Sequence, residues 1–320
     1  LGLLIKSPKK IKLIGDKSLS KRDFLRITTP LQKFGAKFYY KKKGKLPLSI
    51  LGSKLPRSIN YLENKGSAQC KSAVMLAALN SSGTTIIKAK KSRNHTELLF
   101  KYLNVPIKVK TTKKYDFIDI KQPKKIPAFN YQIPGDISSS AFFMVLTTLT
   151  INSKLLIKNV NINPSRVGVI TILKKMGAKI SLKNQKNYRG ERISDILIKS
   201  SRNLKAINCP PELNSNAIDE FLVIFLIAAR AKGVSHFTDV SELNQKESPR
   251  LDWGSKILNM MGVKTELTKD SIKIYGQPNL EIKKLITIKN YLKDHRVFMM
   301  SAVAALTCGG EWNIHDKDSI

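Results

Sequence analysis

The sequence predicts an α/β protein built from repeats, and three observations carry that prediction. Four stretches share one texture, a small polar start, an apolar helix, a turn signal and a short strand: GSAQCKSAVMLAALNSSGTTIIKAK, GDISSSAFFMVLTTLTINSKLLIKNV, IDEFLVIFLIAARAKGVSHFTDV and KDHRVFMMSAVAALTCGGEWNIHD. A second set of helices ends alike, in LQKFGAK, LFKYLNVPIK, LKKMGAK and LNMMGVK. After these come paired strands of alternating polarity across a polar turn, as in KTELTKDSIKIYG, the period of a half-buried strand. The unit reads helix, strand, helix, strand, turn, strand and recurs every ~70 to 85 residues, longer than the usual solenoid repeat. Interleaved helices and strands argue an α/β architecture rather than a helical array. Each unit can bury its helices only against its neighbours, so several units share a core.

The first helices are expected to start at Ser67, Ser138, Asp219 and Asp294, whose side-chain oxygens suit the free N–H groups of a helix entrance. The second helices are expected to open at Lys21 and Arg22, at Ser92 and Arg93, at Ser165 and Arg166, and at Lys246 and Glu247 leading to Arg250, where Pro249 marks the helix start. Their ends fall at Gly35, Asn104, Gly177 and Gly262, residue types that accept a left-handed cap. The longest apolar run, FLVIFLIAA at 221–229, reads as a buried helix ending at Arg230; it falls short of the roughly 18 residues that a membrane span needs. LGLLI at 1–5 looks like the tail of a first helix, because the strand KIKLIGD follows it, and EWNIHDKDSI stops where a second helix is due. With no initiator Met, these ends read as a chain cut inside a repeat at both termini.

A length of 320 residues accommodates two domains, and 42% hydrophobic content is ordinary for packed protein. No secretory leader is recognisable, so a cytoplasmic location is expected. Cys70, Cys209 and Cys308 are odd in number, far apart and without CxxC spacing, which argues buried small hydrophobes rather than disulfides or zinc. The four histidines form no metal-like cluster. A formal net charge of +34 invites a nucleic-acid reading. The lysines, however, are scattered through every segment and sit on turns such as YYKKKGKLP, without the interleaved aromatics of a stacking platform. A solvated surface with anionic small-molecule substrates is the better expectation.

Capping explains the Ser and Asp residues at the entrances but not the arginines, since a cation there opposes the helix dipole. Arginine beside free N–H groups makes an anion trap, and four equivalent entrances packed about a common axis would form a cleft for phosphate and carboxylate. Asp219 and Glu247 break the pattern. A helix cap and a local ion pair explain them as well as proton transfer does, in which carboxylates are tuned by neighbouring cations.

These stretches resemble one known family. GDKSLSKRDFLRITTPLQKFGAKF, GSAQCKSAVMLAALN, SRNHTELL, PGDISSSAFF, IDEFLVIFLIAARAKG, NQKESPRL and DHRVFMMSAVAAL are similar, in order and over essentially the whole chain, to the 3-phosphoshikimate 1-carboxyvinyltransferases (EPSP synthases) of the Ser-Ala-Gln subgroup. The resemblance implies a two-domain enolpyruvyl transferase fold of βαβαββ units around pseudo-threefold axes, incomplete here. Residues 1–132 would be most of the shikimate-phosphate-side domain, its start missing, and 133–320 most of the second domain, its end missing.

The resemblance also implies transfer of the enolpyruvyl group of phosphoenolpyruvate to the 5-hydroxyl of shikimate 3-phosphate, releasing phosphate, on the route to chorismate and aromatic amino acids. It implies a cytoplasmic monomer with no metal, organic cofactor, nucleic acid or membrane partner. Ser67, Ala68, Gln69, Arg93, Asp219 and Lys246 would hold shikimate 3-phosphate, and Gln69, Arg250 and Arg296 phosphoenolpyruvate. Asp219 would accept a proton and Glu247 would protonate the enol carbon.

Two positions depart from the family pattern. Pro249 stands where an aspartate is usual, which is expected to leave Arg250 less firmly oriented, and Asn104 replaces a glycine. The alternatives are the sister enzyme acting on UDP-N-acetylglucosamine and a non-catalytic basic binding protein, which would leave Asp219 and Glu247 unexplained. The 320 residues by themselves are expected to have negligible turnover; phosphate release that Asp219→Ala abolishes would overturn this.

Overall fold

A computed structural model describes residues 1–319; Ile320, the last residue of the second predicted domain, lies outside the described residues. The chain divides into two compact units. Unit 1 is Leu1–Tyr131 with Arg189–Glu191, and unit 2 is Gln132–Tyr188 with the remainder from Arg192 onward.

Unit 1 begins with a 3-10 helix, Gly2–Lys6, and then carries β1 (Ile11–Leu13), α1 (Lys17–Lys21), α2 (Leu25–Lys33), β2 (Lys37–Tyr40), β3 (Leu48–Leu51) and β4 (Asn60–Glu63). It continues through α3 (Ala68–Ala78), β5 (Thr84–Lys90), α4 (His95–Tyr102), β6 (Ile107–Thr111) and β7 (Tyr115–Lys121). Its sheets have the orders β1-β3-β2 and β4-β5-β7-β6. The core lies between helices and sheets, around Leu31, Phe34, Ile50, Val74, Met75, Ile87, Phe100, Ile118 and Ile120.

Unit 2 carries α5 (Ile137–Leu149), β8 (Lys154–Asn161), α6 (Gly168–Lys175), β9 (Lys179–Tyr188) and β10 (Glu191–Lys199, its first residue grouped with unit 1). There follow α7 (Asn214–Ala217), α8 (Phe221–Arg230), β11 (Gly233–Phe237), α9 (Arg250–Met260), β12 (Thr265–Leu267), β13 (Ile272–Gly276), β14 (Ile282–Ile288), α10 (His295–Cys308) and β15 (Gly309–Ile314). The sheets are β8-β10-β9, β11-β13-β12 and β14-β15. Every residue of α8 from Phe221 to Ala229 is buried, as an all-round apolar helix must be. Phe221, Phe225 and Phe237 meet there with ring centroids 5.2 to 5.9 Å apart.

The repeat is visible in the pairing. In four sheets the strand after the first helix lies antiparallel to the third strand of its unit, which occupies the middle. One element escaped the residue-pattern reading: a strand ahead of the first helix. β4 pairs parallel with β5 across α3, and β14 with β15 across α10, the arrangement a crossover helix permits. Isolated parallel bridges repeat it, Gly135–Val160 ahead of α5 and Lys205–Lys232 with Asn208–His236 ahead of α8. These segments are short and mostly irregular, so alternation marks them weakly; only IKKLITI carries a strand signal.

The predicted helix ends are all left-handed: Gly35 has φ 102°, Asn104 55°, Gly177 95° and Gly262 87°. At three of them the next N–H reaches back five residues, Val105 to Phe100, Ala178 to Leu173 and Val263 to Leu258, each at 2.9 Å. This is the Schellman closure, with a buried apolar residue after the turn. Asn104 therefore does the work of the glycine it replaces.

The predicted helix starts need correction. Lys21 and Arg22 do not open α2; Asp16 caps α1 through Leu19 N at 2.6 Å, and Arg22 is the C-cap of α1, where a cation suits the dipole. α5 is capped by Asp136, not Ser138, through Ser139 N at 3.0 Å. α4 and α6 begin two residues after Arg93 and Arg166, and α8 begins after Glu220 rather than at Asp219. Only Arg250 is the first residue of a helix, α9.

Among the described residues no helix is long and apolar enough to cross a membrane. The three cysteines are free and buried, and burial pushes the Cys209 thiol up to about 11.

Two of the capping glycines separate backbone strain from space. Gly262→Ala meets no atom within 4 Å and is expected to cost about 1 kcal/mol for its left-handed backbone. Gly177→Ala would bring its Cβ to 2.7 Å from the Asn203 carbonyl oxygen and should cost ~1 to 3 kcal/mol more, measured by denaturant unfolding.

Candidate active site

In unit 2 the geometry is built outward from Arg250, whose side chain is only 2% exposed. Pro249 takes the N-cap position of α9, its carbonyl accepting from Trp253 N at 2.9 Å, and so places Arg250 at the first turn. The Arg250 guanidinium then turns away from its own helix onto three carboxylates. Nε donates to Asp294 Oδ2 at 2.8 Å and Nη2 to Asp294 Oδ1 at 3.3 Å. Nη2 also donates to Glu247 Oε2, and Nη1 donates to Asp219 Oδ1 at 3.3 Å. Two bonds to one carboxylate fix the plane of the fork.

Asp294 is buried and carries four loads. Besides gripping Arg250, it accepts from Ser248 Oγ at 2.9 Å and caps α10 by accepting from Arg296 N at 2.9 Å. Burial pushes its pKa up, but hydrogen bonds from Arg250 and that residue's charge outweigh it, and the carboxyl is held below its ordinary value. The expected loosening of Arg250 by Pro249 is therefore not found.

Around this hub, Lys246 Nζ lies 3.6 Å from Asp219 Oδ1 and 3.1 Å from Glu242 Oε1. Arg296 Nη1 donates to the Asp219 carbonyl oxygen at 2.7 Å and lies 4.0 Å from Glu220 Oε1. Glu220, buried, accepts from Ser138 Oγ, which accepts in turn from Arg166 Nη2 at 2.6 Å; Arg166 also pairs with Asp136 at 2.9 Å. Five predicted site residues, Asp219, Lys246, Glu247, Arg250 and Arg296, are thus joined in one polar network. Asp294, Glu220, Ser138, Ser248 and Arg166 join it; sequence reasoning gave Arg166 a part only as one of the entrance arginines of an anion trap and gave the other four none. Asp294, Ser138 and Arg166 were visible only as residues at helix entrances.

The remaining predicted residues lie in unit 1. Ser67 caps α3 through Cys70 N at 3.3 Å, Ala68 is the first helical residue and Gln69 is exposed. The loop before Ser67 is held by buried Glu63, which accepts from Lys65 N at 3.1 Å and Gly66 N at 2.7 Å. Half-buried Arg93 precedes α4. The first turns of α3 and α4 are tied together by Ser72 and Thr96, 2.6 Å apart, and by the buried pair Lys71 and Glu97, also 2.6 Å apart. Ser67, Gln69 and Arg93 therefore share one end of this helix pair.

Cations alternating with carboxylates in a partly exposed network suit proton transfer to and from a bound anion. Comparison with known proteins gives this chemistry a family. The family model described as EPSP synthase (3-phosphoshikimate 1-carboxyvinyltransferase) matches residues 1–320. The chain belongs to the EPSP synthase family. It is 42% identical over 320 residues to the 3-phosphoshikimate 1-carboxyvinyltransferase of Ruthia magnifica subsp. Calyptogena magnifica, spanning 100% of this chain and 72% of that protein.

The Bacillus subtilis (strain 168) protein of the same name is 35% identical over 322 residues, with 100% and 73% covered. An EPSP synthase structure from Acinetobacter baumannii superposes with a TM-score of 0.87 at 36% identity, covering 99% of this chain and 72% of that one. The enolpyruvyl transferase NikO from Streptomyces tendae shares the fold at a TM-score of 0.71 and 12% identity, covering 99% and 71%. The α/β enolpyruvyl transferase fold expected from the sequence is thus the fold of an EPSP synthase family member. The family match does not favour the UDP-N-acetylglucosamine enzyme.

Removing the Asp294 charge should expose its contribution. Asp294→Asn is expected to lower unfolding free energy at pH 7 by about 3 kcal/mol, the scale for breaking a buried ion pair. Because the folded pKa is depressed, this stability is present above about pH 4 and lost as pH falls through the folded value. Chemical denaturation of both proteins from pH 7 downward should show the gap closing.

Proposed function

We propose that this chain transfers the enolpyruvyl group of phosphoenolpyruvate to the 5-hydroxyl of shikimate 3-phosphate, forming 5-enolpyruvylshikimate 3-phosphate and phosphate, a step toward chorismate and the aromatic amino acids. The observation that carries the reading is the network on Arg250, which gathers Asp219, Lys246, Glu247 and Arg296 from three separate stretches of sequence.

In this reading residues 1–132 belong to the shikimate-phosphate-side domain and 133–320 to the second domain. Ser67, Ala68, Gln69 and Arg93 bind shikimate 3-phosphate, with Asp219 and Lys246 on its hydroxyls. Arg250 and Arg296, with Gln69, bind phosphoenolpyruvate. The substrate anion competes with Glu247 and Asp219 for Nη2 and Nη1 of Arg250, while Asp294 keeps Nε and the plane of the fork. Release from the guanidinium leaves both carboxylates more basic.

Asp219 takes the 5-hydroxyl proton as that oxygen bonds to the enol carbon bearing phosphate, and Glu247 delivers a proton to the methylene carbon. The resulting tetrahedral adduct loses phosphate as the new methyl group gives back a proton. Concentrated positive charge stabilises the departing phosphate. A monomer in the cytoplasm meets both substrates as soluble anions.

Equilibrium titration tests this without requiring turnover. Shikimate 3-phosphate should bind the unaltered chain and lose about tenfold or more in Arg93→Ala, the scale of a charge-assisted hydrogen bond. Arg296→Lys should weaken phosphoenolpyruvate about tenfold because an ammonium cannot form the two-pronged bond, with shikimate 3-phosphate little changed. Binding of UDP-N-acetylglucosamine in place of shikimate 3-phosphate would overturn the reading.

A further inference from the structure

Glu220 is a carboxyl group that ordinary structural roles leave unexplained. It is 3% exposed, so it does nothing for solubility. It occupies the N-cap position of α8 but its side chain makes no capping bond. It stands one residue before nine consecutive buried apolar residues, where taking a carboxyl out of water is costly unless partners are fixed around it. Its partners come from two other helix entrances. Ser138 on α5, 82 residues away and 1% exposed, donates its hydroxyl to Glu220 Oε1, and Arg166 pins that hydroxyl from the other side at 2.6 Å. Arg296 on α10 places its charge 4.0 Å from the same oxygen.

The Glu220 carboxyl therefore has its direction set from α5 and faces the guanidinium from α10. Arg296 is held by the Asp219 carbonyl at 2.7 Å and faces the carboxylate of the adjacent Glu220 at 4.0 Å. Resting on the function proposed above, we propose that Glu220 is a positioning residue for the phosphoenolpyruvate half of the reaction. Its buried carboxyl group keeps the Arg296 guanidinium and the Asp219 main chain in register, through the hydrogen bond from Ser138. Glu220 touches neither substrate; it acts through Arg296. Burial pushes its pKa up; a glutamine amide oxygen in the same place could accept the same hydrogen bond from Ser138.

The test compares Glu220→Ala with Glu220→Gln in the full chain, titrating phosphoenolpyruvate and shikimate 3-phosphate separately and following the Arg296 side-chain Nε–H by NMR, its signal identified by loss in Arg296→Lys. Glu220→Gln should bind both ligands nearly as the unaltered chain does. Glu220→Ala should weaken phosphoenolpyruvate about tenfold, as loss of one charge-assisted contact would, leave shikimate 3-phosphate little changed, and broaden the Arg296 signal. Should the alanine variant not fold, Glu220→Leu, which keeps the volume, carries the same comparison. Equal loss of both ligands, unaltered phosphoenolpyruvate binding with a sharp Arg296 signal, or a glutamine variant as weak as alanine would each overturn the proposal. If the unaltered chain binds neither ligand, the functional reading fails, while the Arg296 signal still decides whether Glu220 positions that side chain.

Discussion

One buried guanidinium organises the chemistry of unit 2. Arg250 cannot lose its charge, and because its side chain is buried that charge must be met by carboxylates or the fold pays its full desolvation. Asp294 meets it with two bonds, and Glu247 and Asp219 with one each. Because Asp294 also caps α10, the demand of a single cation fixes where that helix begins and so where Arg296 projects. The candidate acids and arginines are not independent features placed near one another. Asp219, Glu247 and Asp294 share one guanidinium, and Arg296 is tied to them through Asp219 and Asp294.

This arrangement reconciles a strongly cationic chain with a site rich in carboxylates. The excess lysine charge is carried largely by exposed strand and turn positions such as those at 41–43, whereas within the network acids stand beside every cation. Acids paired to arginine are held ready, and an anionic ligand that takes over the arginine would free them. Affinity for an anion and basicity of the carboxylates are thereby coupled through shared guanidinium nitrogens, a coupling that scattered surface charge could not provide.

The helix entrances show where sequence reading was right in kind and wrong in detail. Small polar residues and arginines did mark the helix entrances, and Asp294 and Ser67 cap the helices they were expected to start, but α5 is capped by Asp136 rather than Ser138. Ser138, read as a start, instead turns its hydroxyl to Glu220. A hydroxyl or carboxyl near a helix start has several possible acceptors and donors within reach, and which one it takes depends on what the neighbouring helix brings. The strand ahead of each first helix was weakly marked for a similar reason: a single bridge or a four-residue edge leaves little alternation to detect.

What the sequence alone determined is local. The repeat, the apolar helix at 221–229 and the four left-handed helix ends are written in patterns a few residues long, where backbone sterics and the period of side-chain burial act directly. Family resemblance added the fold and a set of candidate site residues. Only the tertiary structure decided the pairings: Arg250 with Asp294 across 44 residues, Arg296 with Asp219 across 77, Ser138 with Glu220 across 82. Such contacts leave no periodic trace, because a buried charge selects its partner by distance and desolvation in the folded state, not by spacing along the chain.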